Sequence, residues 1–230
     1  MSSQAQPMTR VEKWELGLIL LTGATHVTIE LLVGGGQGHR LMGRSPESVY
    51  NLAVAGLWGV YALRRMLATP GMARAWGFRR DTFFSALEPC ALVGLCAVVP
   101  LLVYGHAHGR WPLPATFWMT LLLYPWYGIA QQFALQALVA RNLRPLISGR
   151  VLRMCATACV FSAAHFPDPW LMVLTVPLGL ALTWIYERSP NLWAVGILHG
   201  VLGALVYYLV LGLDPGAELL HAAQAFLKSL

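Results

Sequence analysis

The sequence contains few charged residues. Only 11% of its 230 residues are Asp, Glu, Lys or Arg, whereas 57% are hydrophobic. Because soluble domains carry about 25% charged residues, this scarcity excludes an ordinary soluble domain and predicts a polytopic membrane protein whose first partner is the lipid bilayer. The net charge of +6 is not accompanied by a nucleic-acid-binding motif or by interleaved aromatic and basic residues, so no nucleic acid partner is predicted.

The sequence also has few cysteines and lacks the common metal-binding motifs. Its four cysteines lie in apolar segments and form no Cys-x-x-Cys pair, which favours small buried hydrophobic side chains over a redox pair. No His-x-x-x-His or His-Glu-x-x-His motif occurs. Two histidines with a carboxylate could hold zinc or iron, but the histidines of the apolar core belong to separate segments. We therefore predict neither a metal nor a cofactor.

Long apolar segments are abundant instead. Most are close to the ~20 residues that a membrane-spanning helix needs, and none shows the alternation of a membrane β-strand. We predict an all-α, polytopic transmembrane bundle of seven to eight helices, organised as a single integral membrane domain over residues 1–230. The apolar segments are 15–33, 48–66, 83–105, 115–140, 151–166, 169–187 and 192–213.

Clusters of arginine predict the orientation of this bundle. The segments after the second and the fourth span hold most of the arginines, and positively charged loops stay on the cytoplasmic side. Together with Arg10 and Lys13 they predict a cytoplasmic N-terminus, in a bacterial-type inner or plasma membrane. The loop 34–47 fits this orientation least well. The segment 69–80 mixes arginines with aromatic residues and is expected to lie on the inner leaflet, and the tail 218–227 has the spacing of a short surface helix.

One apolar segment carries three glutamines, Gln131, Gln132 and Gln136. A side-chain amide in hydrocarbon is costly unless it finds a hydrogen-bond partner, so three in one span indicate a polar interior. Gln132 and Gln136 are spaced i, i+4 and share a helix face. One interpretation is that these amides only join helices through hydrogen bonds; the other is that they line a site.

Two histidines lie in other apolar segments at a similar depth. The helical rise of about 1.5 Å per residue places Gln132, His165 and His199 roughly 12–18 Å from the predicted cytoplasmic boundary. Polar groups on three helices at one depth are what an intramembrane site requires. We therefore expect these helices to meet around one cavity, with hydrogen bonds from the glutamine pair at 131 and 132 to the two histidines.

The order of these motifs resembles a known family. A paired-residue motif on one helix is followed by Phe161-x-x-x-His165 and, about thirty residues later, by His199 after a Leu-Trp-Ala entry. The region 118–213 is similar in this respect to the CAAX-protease and bacteriocin-processing (CPBP) family, which includes the type II CAAX prenyl endopeptidases. The resemblance implies an intramembrane bundle that cleaves hydrophobic or prenylated peptides near the membrane. It also implies that a glutamate activates water while the histidines and an asparagine stabilise the oxyanion.

The sequence departs from the family pattern at its charged positions. The family has Glu-Glu-x-x-x-Arg where this chain has Gln131, Gln132 and Gln136, and it has Asn or Asp where this chain has Gly203. Removal of both acids together with the arginine avoids leaving a buried arginine without a partner, which would be expensive. The matching positions are Phe161, His165 and His199.

A neutral amide cannot accept a proton from water, so Gln131 and Gln132 cannot act as the general base. Four replacements are open. Either core histidine has a suitable ordinary pKa, and Glu88 or Glu30 could supply a carboxylate. Glu30 lies i, i+4 from His26, so these two could equally form a satisfied pair within the membrane.

We predict a divergent CPBP-like endopeptidase acting on membrane-proximal or lipidated peptides. Two alternatives stay open: a non-proteolytic pseudoenzyme that binds a membrane client or lipid, and an enzyme that acts on a lipid or isoprenoid in the same cavity. The predicted catalytic residues are His165, His199, Gln131 and Gln132, and the predicted supporting residues are Gln136, Phe161, Gly203 and Glu88.

Overall fold

The computed structural model describes residues 7–34 and 46–228, and within these ranges every regular element is helical. Three helices continue without a break into π-helical segments, namely Glu30–Gly34, Phe133–Ala140 and Tyr207–Leu211. The helices are α1 (Arg10–Ile29), α2 (Pro46–Ala68), α3 (Met72–Ala75), α4 (Phe83–Ala107), α5 (Thr116–Gln132), α6 (Arg141–Leu143), α7 (Arg150–Ala163), α8 (Pro169–Arg188), α9 (Leu192–Val206) and α10 (Pro215–Lys228).

The predicted all-α bundle is confirmed, and each of the predicted apolar segments corresponds to a helix. Within the described residues, four helical segments are long and apolar enough to cross a membrane. The protein is therefore an integral membrane protein. The predicted span 151–166 contains α7, whose 14 residues cover only ~21 Å. The predicted loop 34–47 lies almost wholly outside the described residues. The crossing segments are Arg10–Leu32, Phe83–Ala107, Pro169–Arg188 and Leu192–Leu211.

Helices α5 and α9 make the closest packing in the bundle, and glycine makes it possible. A Cβ atom on Gly196 would lie 2.6 Å from the Cα of Ile129, and one on Gly200 would lie 2.6 Å from the backbone N of Pro125. Gly128 faces the same two glycines from α5. Small residues of this kind allow helix backbones to approach within the membrane. This contact brings the glutamines of α5 against His199 of α9.

Capping residues determine where α8 and α9 begin. Asp168 accepts a hydrogen bond from the Leu171 backbone N–H at 3.0 Å, and Pro169 occupies the first helical position. Asn191 accepts one from the Ala194 N–H at 3.0 Å and donates to the Arg79 carbonyl at 2.6 Å. Both caps satisfy backbone donors that a helix start leaves unpaired. The second cap also connects the start of α9 to the segment that follows α3.

The expectation that segment 69–80 lies on the lipid surface is wrong for its central aromatic residue. Trp76 is fully buried, and its carbonyl accepts a hydrogen bond from the Tyr186 hydroxyl at 2.8 Å. Gly77 turns the chain with a φ of 94°, a conformation that favours glycine. A Cβ there would lie 2.9 Å from the Tyr186 ring. Burial of the indole in the core outweighs its preference for the interface because the turn directs it inward.

A buried carboxylate joins α1 to α2 and α6. Glu15 is only 3% exposed and accepts hydrogen bonds from the Tyr61 hydroxyl at 2.6 Å and the Asn142 amide at 3.0 Å. The Arg65 guanidinium lies 3.8 Å away. Such partners are what a buried charge needs. These contacts hold α1 against α2 and α6.

Candidate functional site

A cavity of about 400 Å³ opens between α1, α5, the α7–α8 turn and α9. Its wall includes three histidines, His26, His165 and His199, together with Glu30 and Gln131. Apolar side chains of α8 and α9, among them Leu171, Leu178 and Leu202, line much of the remainder. The cavity therefore combines titratable groups with an apolar surface.

His199 is held by a chain of buried amides. Its Nδ1 lies 3.2 Å from the Nε2 of Gln132, and the Oε1 of Gln132 accepts from the Nε2 of Gln136 at 3.0 Å. Gln136 also donates to Thr183 Oγ1 at 3.2 Å. An amide nitrogen only donates, so Nδ1 of His199 is the acceptor. In a neutral imidazole the proton is then on Nε2, which makes His199 a hydrogen-bond donor on its other edge.

His165 has the opposite tautomer. It lies in the turn after α7, and its Nδ1 is 2.7 Å from the Phe161 carbonyl oxygen. A carbonyl only accepts, so Nδ1 carries the proton, and Nε2 of the neutral ring has a free lone pair. His165 can therefore accept a proton where His199 can donate one.

Phe161 positions the two histidines relative to each other. Its ring centroid lies 4.8 Å from that of His165 and 5.1 Å from that of His199, in edge-on contacts. The two imidazole centroids are 6.5 Å apart. Phe161 is itself buried against Gly179 of α8, where a Cβ would lie 3.1 Å from the phenylalanine ring. Phe161 is thus packed between the two histidines, and its supporting role in a site stays a prediction.

The neighbouring glutamines have different environments. Gln132 and Gln136 are fully buried in the wall behind His199, whereas Gln131 is half-buried and lines the cavity itself. The expected hydrogen bond between Gln132 and His199 is present. A matching bond from Gln131 to His165 does not occur among the described residues.

The two candidate carboxylates are also separated. Glu88 is exposed on α4 and is not part of the cavity wall, so the structure does not bring it to the histidines. Glu30 is 8% exposed, lines the cavity from α1 and begins a π-helical segment. Its neighbour one turn earlier, His26, lines the same cavity.

Gly203 lines the cavity one turn beyond His199, and the Tyr124 ring packs over it. A Cβ on Gly203 would lie 3.3 Å from Cε1 and 3.4 Å from Cδ1 of that ring. Tyr124 and Tyr207 both line the cavity and were not predicted as site residues. A signal for Tyr207 was available, since positions 199, 203 and 207 recur every four residues on one helical face. Tyr124 comes from another helix, so no spacing could reveal its contact with Gly203.

No group of three or more His, Cys, Asp or Glu side chains with the geometry of a metal site occurs within residues 7–34 and 46–228. The described cavity therefore offers separate imidazoles and a carboxylate. Such groups can transfer protons and form hydrogen bonds.

The chain was compared with protein families, curated proteins and solved structures. Residues 111–205 match the family model described as type II CAAX prenyl endopeptidase Rce1-like. Neither a curated protein nor a solved structure shows significant similarity to the chain. The match spans α5, the two core histidines and the turn between α8 and α9, as the motif order predicted. The segment that carries both core histidines is therefore similar to the type II CAAX prenyl endopeptidase Rce1-like family.

Proposed function

We propose that this protein is a divergent intramembrane endopeptidase that hydrolyses an amide bond in a hydrophobic or prenylated peptide. The observation that carries the proposal is that two imidazoles with different hydrogen-bond partners, an amide nitrogen for one and a carbonyl oxygen for the other, line one cavity. His165 presents a free Nε2 lone pair, and His199 presents an Nε2–H, with ring centroids 6.5 Å apart. Amide hydrolysis needs one group that accepts a proton and another that stabilises negative charge.

The proposed reaction begins with a water molecule next to His165. The water oxygen adds to the carbonyl carbon of the peptide while one water proton passes to His165 Nε2. The carbonyl oxygen becomes an oxyanion, which accepts a hydrogen bond from His199 Nε2–H. When the tetrahedral intermediate collapses, the carbon–nitrogen bond breaks and the proton on His165 passes to the departing amine nitrogen. The products are a carboxylic acid and an amine, and His165 is neutral again.

Gln132 and Gln136 are positioning residues in this scheme. Their hydrogen-bond chain keeps the His199 proton on Nε2 because Gln132 donates to Nδ1. The arrangement takes the place of the charged set that the family carries at these positions. It costs less in hydrocarbon than an ion pair because no charge is buried.

The cavity wall supports a hydrophobic substrate. Leu171, Leu178 and Leu202 face the same space as the histidines, so an isoprenoid or an apolar peptide segment can lie along them while its amide reaches the polar end. Burial of apolar substrate surface against these side chains favours binding by roughly 25 cal/mol per Å² removed from water. With the N-terminus in the cytoplasm, as the arginine clusters suggest, the substrate enters from that side.

The test is cleavage of a panel of membrane-proximal and prenylated peptides by the purified protein in detergent or vesicles. We expect cleavage by the wild type and its loss, by about 10²-fold or more, in His165→Ala. His106→Ala, an exposed histidine near the end of α4, is the matched control and is expected to cleave normally. Equal cleavage by wild type and His165→Ala would overturn the assigned role of His165.

A second candidate function is a binding protein for a lipid or membrane client. The observation that favours it is that the residues behind His199 are neutral amides, which cannot accept a proton from water. Absence of cleavage across the panel, together with a lipid or peptide that co-purifies and is identified by mass spectrometry, would favour this function over proteolysis.

A further inference from the structure

The tyrosine ring over Gly203 occupies space next to the candidate catalytic histidine. Gly203 follows His199 by one helical turn, so both lie on the same face of α9. A side chain at position 203 would have to share its space with Tyr124, because even a Cβ would lie 3.3 Å from the ring. The ring therefore fills the volume that any larger residue at this position would require.

A second tyrosine supports the first. Tyr207 lies one further turn along the same face, and its ring centroid is 5.6 Å from that of Tyr124. Each ring carries a phenolic O–H, which can donate one hydrogen bond. Both rings line the cavity, so a phenolic O–H of this pair can donate to a molecule bound there.

The two amides behind His199 are already engaged. The Nε2 of Gln132 donates to His199, and Gln136 donates to Gln132 and Thr183. Gly203 has no side chain to donate. The tyrosine pair thus adds neutral donors to a cavity wall that also includes His199 and Gln131.

We propose that Tyr124, held by Tyr207, is a catalytic hydrogen-bond donor that stabilises the oxyanion together with His199. The inference rests on the proposed endopeptidase function and assigns it a further residue. A phenol suits this role because it donates strongly without introducing a charge into hydrocarbon. Tyr207 acts through Tyr124 and is a positioning residue.

The first experiment compares wild type, Tyr124→Phe and Tyr207→Phe in the cleavage assay. Removal of one oxyanion donor lowers kcat by about 10²- to 10³-fold in enzymes that use one, so we expect a loss of that order in Tyr124→Phe with little change in KM. Tyr207→Phe should lose less. The matched control is Tyr104→Phe, whose ring stacks on His108 outside the cavity; it should retain full activity.

A second readout does not depend on turnover. A phosphinate analogue of a prenylated peptide carries the tetrahedral, negatively charged group that the oxyanion presents. We expect the wild type to bind it at least tenfold more tightly than Tyr124→Phe, measured by titration calorimetry in detergent. Tyr124→Ala combined with Gly203→Asn, which places an amide donor in the vacated space, should recover part of both cleavage and binding.

The outcomes distinguish failure of the role proposed for Tyr124 from failure of the proposed endopeptidase function. Cleavage and phosphinate binding that are equal in wild type and Tyr124→Phe would overturn the role of Tyr124 and leave the endopeptidase function standing. A wild type that neither cleaves nor binds the phosphinate would overturn both.

Discussion

The contrast between Gln131 and Gln132 shows how much one step along a helix changes a residue's chemistry. Gln131 faces the cavity and is half-buried, whereas Gln132 is sealed behind His199. We expect Gln131→Glu to raise the cleavage rate, by up to ~10²-fold, because it returns a carboxylate that can accept a proton at the cavity surface. The measurement is kcat/KM on the best substrate of the panel.

Gln132→Glu serves as the matched comparison. A carboxylate at this buried position cannot donate to His199 Nδ1 and faces a desolvation cost of several kcal/mol unless it is neutralised. We expect a lower unfolding temperature and no gain in rate. A gain in Gln132→Glu alone would show that the proton acceptor of this site stands at position 132, and it would overturn the positioning role assigned to that residue.

At the scale of helices, the contact between α5 and α9 determines the geometry of the site. We expect Gly196→Ala and Gly200→Ala to destabilise the protein by about 1–3 kcal/mol each, because the new methyl group meets backbone atoms at 2.5–2.6 Å. Thermal unfolding in detergent measures the effect. Gly59→Ala on α2, where nothing lies within 4 Å of the added atom, is the control and should be neutral or stabilising. Equal unfolding temperatures in all three variants would contradict this account of the contact.

The tail helix α10 is attached through Asp214. The carboxylate accepts hydrogen bonds from Thr116 and Tyr208, both at 2.6 Å, and from the Ala217 N–H at 2.9 Å. Burial alone would raise the pKa of Asp214, but these hydrogen bonds outweigh it and lower the pKa below its ordinary value of 3.8. A lowered pKa contributes stability that is complete above the ordinary value and is lost as pH falls through the value in the folded protein.

We therefore expect α10 to detach as pH falls below about 4. Limited proteolysis of the tail with pepsin at low pH measures this detachment. In Asp214→Asn the tail should also be cleaved at neutral pH, by a protease that is active at that pH. Glu218→Gln, an acid of the same helix outside this hydrogen-bond set, is the control. Resistance of Asp214→Asn equal to that of wild type would show that other contacts hold the tail.

At the scale of the whole molecule, the sequence predicted the helices better than their contacts. Hydropathy and span length are local properties, so every apolar segment was found. The direction of Trp76 was missed because it depends on a turn at Gly77. The contact between Tyr124 and Gly203 was missed because the two residues are 79 positions apart in the chain. Gln131 and Gln132 could not be assigned to different environments, since that requires knowing which helix lies on each side. The motif order was sufficient for the family because the match rests on residues of one contiguous segment.

The contribution of α1 to the cavity bears on how this protein can be divided. His26 and Glu30 close one side of the cavity and Tyr207 lies at another, and all three are outside residues 111–205. The segment that matches the family model is thus not sufficient to form the cavity by itself. A chimera that transplants this segment into another membrane protein would contain both core histidines but would lack two sides of the cavity. The complete cavity would require α1 and the continuation of α9 as well.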